Sequence, residues 1–263
     1  MKYVIVTGAT GAIGPEICKA LAAEGYGLIL ACRDYHKAEA LTRQLPKTTK
    51  VIFLQLDLTD VDKVHKAAAE LPRLIPANDS VAGLINNAGV MASEYIISSS
   101  GHEIDMSVNY LNTRLWTRLI LQSGLLSKGA SIVFTTSLTR HLQRGTDMPK
   151  ECSNPKRFSR LGTYGASKRA LTFYAAALSR KLRPKGIYVN CADPGIVNSG
   201  MITMNRWFDP ITDIIFRPFI RSPRKGAVPA LRAFEAGLHK QSGLIFCMRR
   251  IHPLPSESPI ELQ

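Results

Sequence analysis

Tyr164 and Lys168 stand four residues apart in Tyr-Gly-Ala-Ser-Lys, at the start of a helix-like stretch that runs to Leu182. Residues four apart share one helical face, so this spacing brings the lysine ammonium near the phenol. A phenol titrates near pH 10; work at neutral pH asks for a fall of about three units, or about 4 kcal/mol. One neighbouring cation supplies about one to three units. The pair is therefore suited to general acid–base chemistry. Taken alone, the spacing also fits a plain surface pair, and its context has to decide.

That context contains a glycine turn. Residues 7–14 read TGATGAIG, between a β-rich run and a helix-like one. Glycines at Gly8, Gly11 and Gly14 let a backbone turn tightly and approach a pyrophosphate, whose charge a helix N-terminus favours. The position between first strand and first helix supports a dinucleotide site over a purely structural turn. At the end of the second strand an acid would favour NAD, and a basic group the 2′-phosphate of NADP. The sequence there is Ala31-Cys32-Arg33-Asp34. Arg33 is placed to grip a phosphate with two N–H groups, while Asp34 is the competing acid. NADP is the expected cofactor, ahead of NAD.

Other small polar motifs follow later strands. Asn86–Gly89 reads NNAG, Thr135-Thr136-Ser137 closes a fifth strand, and Asp193-Pro194-Gly195 follows a sixth. Ser137 is the expected hydroxyl at the rim, with Thr136 as its rival.

These motifs need a frame. Strand-like runs at Lys2–Thr7, Gly27–Ala31, Val51–Leu56, Val81–Ile85, Ser131–Thr135, Ile187–Cys191 and Leu244–Cys247 alternate with helical patterns. The helical patterns cover Ile13–Glu24, Tyr35–Leu45, Val61–Leu71, His102–Leu126 and Tyr164–Leu182. Continuous apolar strands separated by helices predict an α/β fold: a single-domain, doubly wound parallel sheet with helices on both faces. Its ligand crevice lies beyond the carboxyl ends of the strands, where all of these motifs fall.

The 263 residues suit one domain, and 45% hydrophobic composition is ordinary. No 18-residue run is free of charge and proline, which argues against a membrane span. The start at Met1 leads straight into strand, unlike a secretory leader. The five cysteines are scattered with no metal-type spacing; they predict reduced thiols, a cytoplasmic protein and no metal. The net charge of +14 would attract anions, or would simply solvate the surface.

Together TGATGAIG, NNAG, Ser137, YGASK and Pro194-Gly195 resemble the short-chain dehydrogenase/reductase family over nearly the whole chain, which implies a Rossmann-type fold. The resemblance implies that Tyr164 exchanges a proton with substrate oxygen. Lys168 would lower its pKa and hold the nicotinamide ribose. Ser137 would hydrogen-bond the substrate oxygen, and Asn109 would anchor a relay water unless it is a self-satisfied helix asparagine. Cofactor contacts would come from Gly8, Thr10, Gly11, Ala12, Ile13 and Gly14 in the first turn, and from Arg33. Asp57 and Leu58 would lie near the adenine, with Asn87, Ala88 and Gly89 along the adenosine side. Tyr164, Lys168, Pro194, Gly195 and Val197 would complete the set at the nicotinamide end.

Two features depart from the usual compact pattern. Gly11 falls early and Ala12 occupies the second glycine position, a spacing seen in the extended branch. Between Ser137 and Tyr164 lie 26 residues, as in retinol-dehydrogenase-like members, which ACRD, SPRKGA and SGLIF also resemble.

Residues 198–222 are rich in large apolar side chains, including Met201, Trp207, Phe208, Phe216 and Phe219. They predict a lid over a lipophilic carbonyl or alcohol, with core packing or a subunit contact as the alternative. Arg206, Arg217 and Arg221 would instead suit a membrane surface. The tail from Pro253 is expected to be strapped or mobile. Family resemblance implies a homodimer or homotetramer through the helices at 103–126 and 164–182. The rival to an oxidoreductase is a non-catalytic dinucleotide sensor or a basic nucleic-acid-binding module, motivated by the charge.

Overall fold

The computed structural model describes residues 1–142, 152–197 and 221–257. Eight strands form one sheet: β1 (Lys2–Thr7), β2 (Gly27–Cys32), β3 (Val51–Gln55), β4 (Ser80–Asn86), β5 (Leu126–Thr135), β6 (Tyr188–Ala192), β7 (Leu244–Phe246) and β8 (Ile251–Pro253). Their order is β3-β2-β1-β4-β5-β6-β7-β8. Winding reverses between β1 and β4, which are parallel neighbours, and this is where a crevice opens in such sheets.

Alternation along β1 shows why the sheet is covered on both faces. Val4 and Val6 enter one core with Leu28, Leu30, Ile17 and Phe234. Tyr3 and Ile5 enter the other with Ile29, Trp116, Phe134 and Tyr174. Helices α1 (Gly14–Ala23), α2 (Tyr35–Thr42) and α7 (Pro223–Leu238) supply the first layer. On the other face lie α3 (Val61–Leu74), α5 (Asn112–Gln122) and α6 (Arg160–Leu182).

Four differences from the sequence reading stand out. The expected helix at 102–126 begins as α4 (Ile104–Met106), capped by the Glu103 carboxylate on the Met106 N–H. It passes through a π-helical turn at Ser107–Leu111 before α5, and Leu126 already belongs to β5. Second, α6 starts at Arg160, because Ser159 caps the Gly162 N–H; Tyr164 thus sits past the first turn. Third, α3 continues beyond Leu71 and carries Pro72 inside it. Fourth, the sheet is not wholly parallel. β8 pairs antiparallel with β7, since a four-residue connection suits a hairpin and a parallel partner needs a long crossover. That strand takes in Pro253, the first residue of the proline-rich tail, at the sheet edge, where a missing N–H does no harm. The lid expected at 198–222 lies outside the described residues except for Arg221 and Ser222.

Candidate active site

At the carboxyl ends of the strands is a cleft of about 1330 Å³. Its floor is built from the turn after β1. Gly8 adopts φ +61, a conformation glycine takes at no steric cost. A Cβ on Gly14 would lie 2.3 Å from the Gly8 oxygen and 2.5 Å from the Ala9 oxygen. Gly11 is looser: its Cβ would meet only the Gly8 oxygen, at 3.2 Å. Thr10, Ala12 and Ile13 line the same wall. Gly14 is buried and lets the turn close.

NNAG is tied to that turn. The Asn87 and Ala88 N–H groups donate to the Thr7 hydroxyl at 3.0 and 3.1 Å. The Asn87 side-chain amide donates to the Thr7 and Gly8 carbonyls, each at 3.1 Å. Gly89 lies over the start of α6, since a Cβ there would come within 3.1 Å of Lys168 Nζ and 3.2 Å of Asn109 Oδ1.

At the far end of β2, Asp34 caps α2 by accepting the Lys37 N–H at 3.1 Å. Arg33 is exposed and, with Lys37, lines the cleft. Asp57 accepts the Thr59 N–H and hydroxyl at 3.0 and 2.8 Å. Burial alone would raise its carboxyl, but these two bonds and the nearby Arg33 and Lys63 hold it below the ordinary value. Leu58 is buried next to it and lines the cleft.

The other end carries the residues expected to handle the proton. Ser137, Tyr164, Lys168, Pro194, Gly195 and Val197 all line the cleft. Lys168 Nζ stands 5.7 Å from the Tyr164 ring centre and donates to the Thr135 carbonyl at 2.9 Å. Burial pulls the lysine pKa down to about 8, against the opposing pull of Asp105. Tyr164 is pushed above its usual range, first by burial and then by the Asp105 charge, although a hydrogen bond from Ser137 lowers it. The Tyr164–Lys168 spacing alone therefore does not bring the phenol below its ordinary value. Burial opposes the charged form of both the phenol and the ammonium.

Thr136 does not compete with Ser137. Its hydroxyl is buried against the Thr172 hydroxyl at 2.7 Å. Asn109 lies in the π turn and does not line the cleft. Its side chain exchanges two 2.8 Å bonds with the Val90 backbone and donates to Ser167 at 2.9 Å. Both amide hydrogens are thus committed, and the side chain has none to give a relay water.

Several participants escaped the sequence reading. Ser167 is fully buried and links Asn109 to the Tyr164 carbonyl. Asp105 is fully buried, with one oxygen on the Ala92 N–H at 2.8 Å and the other unpaired. Ser167 sits three residues past Tyr164 and could have been found by helical spacing. Nothing local marks Asp105, whose neighbours come from another loop.

The dinucleotide fits this cleft on structural grounds: Gly8 and Gly14 form a cradle that a side chain would fill, and exposed cations stand at the β2 end. The comparisons agree. A profile of the short chain dehydrogenase family matches residues 2–149 and 151–207. Retinol dehydrogenase 12 of Homo sapiens is 31% identical over 249 residues, covering 93% of this chain and 77% of the relative. Retinol dehydrogenase 11 of Homo sapiens is 33% identical over 250 residues, covering 92% and 76%. Among solved structures, a short-chain dehydrogenase from Burkholderia cenocepacia J2315 in complex with NADP superposes with a TM-score of 0.72 at 21% identity, covering 94% of this chain and 95% of that one. A Brucella melitensis short-chain dehydrogenase/reductase gives 0.72 at 22% identity, with 94% of each chain covered. Sheet, cleft and relatives together define an NAD(P)-dependent oxidoreductase. The chain belongs to the short-chain dehydrogenase/reductase family and resembles its retinol-dehydrogenase-like members.

Proposed function

We propose that the protein interconverts a lipophilic carbonyl and its alcohol with NADP(H), Tyr164 serving as the acid or base at the substrate oxygen. The carrying observation is that Tyr164 and Ser137 line one cleft, hydrogen-bonded to each other, with Lys168 buried next to the phenol. Ser137 orients the substrate oxygen toward the phenol. Lys168 is held by the Thr135 carbonyl and its remaining N–H groups would hold the nicotinamide ribose. Gly8, Thr10, Gly11, Ala12, Ile13 and Gly14 would hold the pyrophosphate, Asp57 and Leu58 would border the adenine, and Asn87, Ala88 and Gly89 would face the adenosine side. Pro194, Gly195 and Val197 close the nicotinamide end. When bound, the dinucleotide supplies or accepts the hydride. Its charge in the oxidised form would offset the upward push on the phenol.

Arg33 and Lys37 support NADP, since Asp34 is occupied as a helix cap. An apolar mouth supports a lipophilic substrate: exposed Leu161 and Ile196 line it with Phe158, and exposed Leu138 and Leu142 follow Ser137. The names of the retinol dehydrogenase relatives point the same way. Five free thiols, four of them buried, support a reducing compartment such as the cytoplasm. Among the described residues no helix is long and apolar enough to cross a membrane. A homodimer or homotetramer through α5 and α6 is the proposed assembly, readable by light scattering. Family membership favours the oxidoreductase over a non-catalytic sensor or nucleic-acid module.

The test is turnover of long-chain aldehydes and alcohols with NADPH and NADH in parallel. Tyr164→Phe should abolish turnover and leave NADPH affinity nearly unchanged; a Phe variant that still turns over rejects the role.

A further inference from the structure

Arg140 and Asp193 lie 53 positions apart in sequence, yet Arg140 Nη1 is 2.6 Å from Asp193 Oδ2. The two side chains are 8% and 2% exposed. Among the described residues, each side chain also bonds to backbone. The same Nη1 donates to the Ser137 carbonyl at 2.8 Å, and Asp193 Oδ1 accepts the Gly195 N–H at 3.0 Å. One end of the ion pair therefore grips the turn that carries Ser137, and the other grips the turn Pro194–Gly195. The strands beneath are already joined, since the Thr136 N–H donates to the Ala192 carbonyl at 2.8 Å. The ion pair joins the two turns directly, beyond the last backbone bond that links those two strands.

Stability is a weak reason for two charges here. Desolvation offsets much of the attraction inside a protein, and an apolar pair of similar volume is often as stable or more so. A charge pair has one property an apolar pair lacks, a fixed direction for each of its bonds. We infer that Arg140 and Asp193 are positioning residues that lock the Ser137 turn to the Pro194–Gly195 turn, so that the substrate-facing hydroxyl and the backbone beside the nicotinamide move as one body. This rests on the proposed roles of Ser137 and the Pro194–Gly195 turn.

The test uses the whole chain carrying Arg140→Met with Asp193→Asn. That pair removes both charges and keeps an acceptor for the Gly195 N–H. Arg140→Lys, which keeps the charge and loses the planar fork, is the second variant, and Tyr164→Phe runs alongside. Thermal midpoint, NADPH affinity by fluorescence, kcat and KM for the carbonyl, and amide exchange of the two turns are measured. The double variant should keep a midpoint within a few degrees of the parent and NADPH affinity within about threefold. Its kcat should fall at least tenfold, with KM changing less. NADPH should slow exchange in both turns of the parent, and in the double variant only in residues 193–197.

Parent-like kcat in the double variant, or joint protection of both turns there, overturns the inference. Should the double variant fail to fold, Arg140→Lys decides: a fall in kcat at unchanged NADPH affinity supports positioning, and a parent-like kcat shows the pair to be only structural. Should the parent turn over nothing, the proposed reaction falls, and the exchange pattern still judges the lock.

Discussion

The side-chain amide of Asn109 donates to the Ser167 hydroxyl at 2.9 Å, and that hydroxyl donates onward to the Tyr164 carbonyl at 2.7 Å. A π turn thus reaches across to the helix that carries the phenol. Such turns recur at functional sites because they place one residue off the regular helical face. Removing the amide leaves the Val90 N–H and carbonyl without their partner, at about 1–3 kcal/mol for a buried group. Asn109→Ala should therefore lower kcat/KM at least tenfold in steady-state assays. Asn109→Asp keeps the acceptor for Val90 and loses both donors, so it should not restore the rate. Parent-like kinetics in Asn109→Ala would show that this bridge does not position the phenol.

The glycine turn separates two substitutions that look alike on paper. A Cβ at Gly14 would press into two backbone oxygens at 2.3 and 2.5 Å, whereas one at Gly11 would meet a single oxygen at 3.2 Å. Gly14→Ala should abolish NADPH binding in a fluorescence titration, and Gly11→Ala should weaken it by tenfold at most. Equal losses would mean that the turn is not shaped by this contact.

Cofactor choice should follow Arg33. A hydrogen bond to a charged group contributes about 1.5–3 kcal/mol, which is roughly 10- to 100-fold in affinity. Arg33→Ser should raise KM for NADPH by about that factor and leave KM for NADH nearly constant. A parallel rise for both cofactors would show that Arg33 supports the loop and reads no phosphate.

The frame was the most legible part of the chain, because continuous apolar runs such as Gly27–Cys32, buried throughout, have few alternatives to a covered parallel strand. Helix starts were harder. Ser159 caps α6 a full turn before Tyr164, a signal that was present but weaker than the motif beside it. The π turn left no periodic trace. In the site, the strand-end motifs converged as expected, whereas the Tyr164 pKa did not follow from spacing. Burial acts on both members of the pair at once and opposes charge on each, and the depth of burial is set by the whole fold. Asp105 and Arg140 depend on partners from distant loops, and no local pattern announces them.

Asp105 makes a stability prediction with a definite sign. Burial, then the neighbouring Glu103 charge, push its carboxyl up to about 7, against the Ala92 N–H, Lys168 and Arg160. The folded state holds this proton more tightly than the unfolded chain, whose aspartates titrate near 3.9. Stability from this group is therefore lost as pH rises through that interval, and the loss is complete above about 7. Asp105→Asn keeps an acceptor for the Ala92 N–H and carries no charge. It should be more stable than the parent at pH 8 by about 1–2 kcal/mol, a few degrees in thermal midpoint, with the gap closing toward pH 4. A variant less stable at pH 8 would show that the carboxylate is matched after all.

The crossover between β1 and β4 divides the labour of the cleft. Arg33 and Lys37 stand on the β2 flank, while Ser137 and Tyr164 stand on the β5 side. Under the proposed roles, a descendant of this chain trades one coenzyme for another by editing a few residues after β2, without disturbing proton handling across the divide. The same partition lets the apolar mouth drift toward new substrates while the coenzyme grip stays fixed.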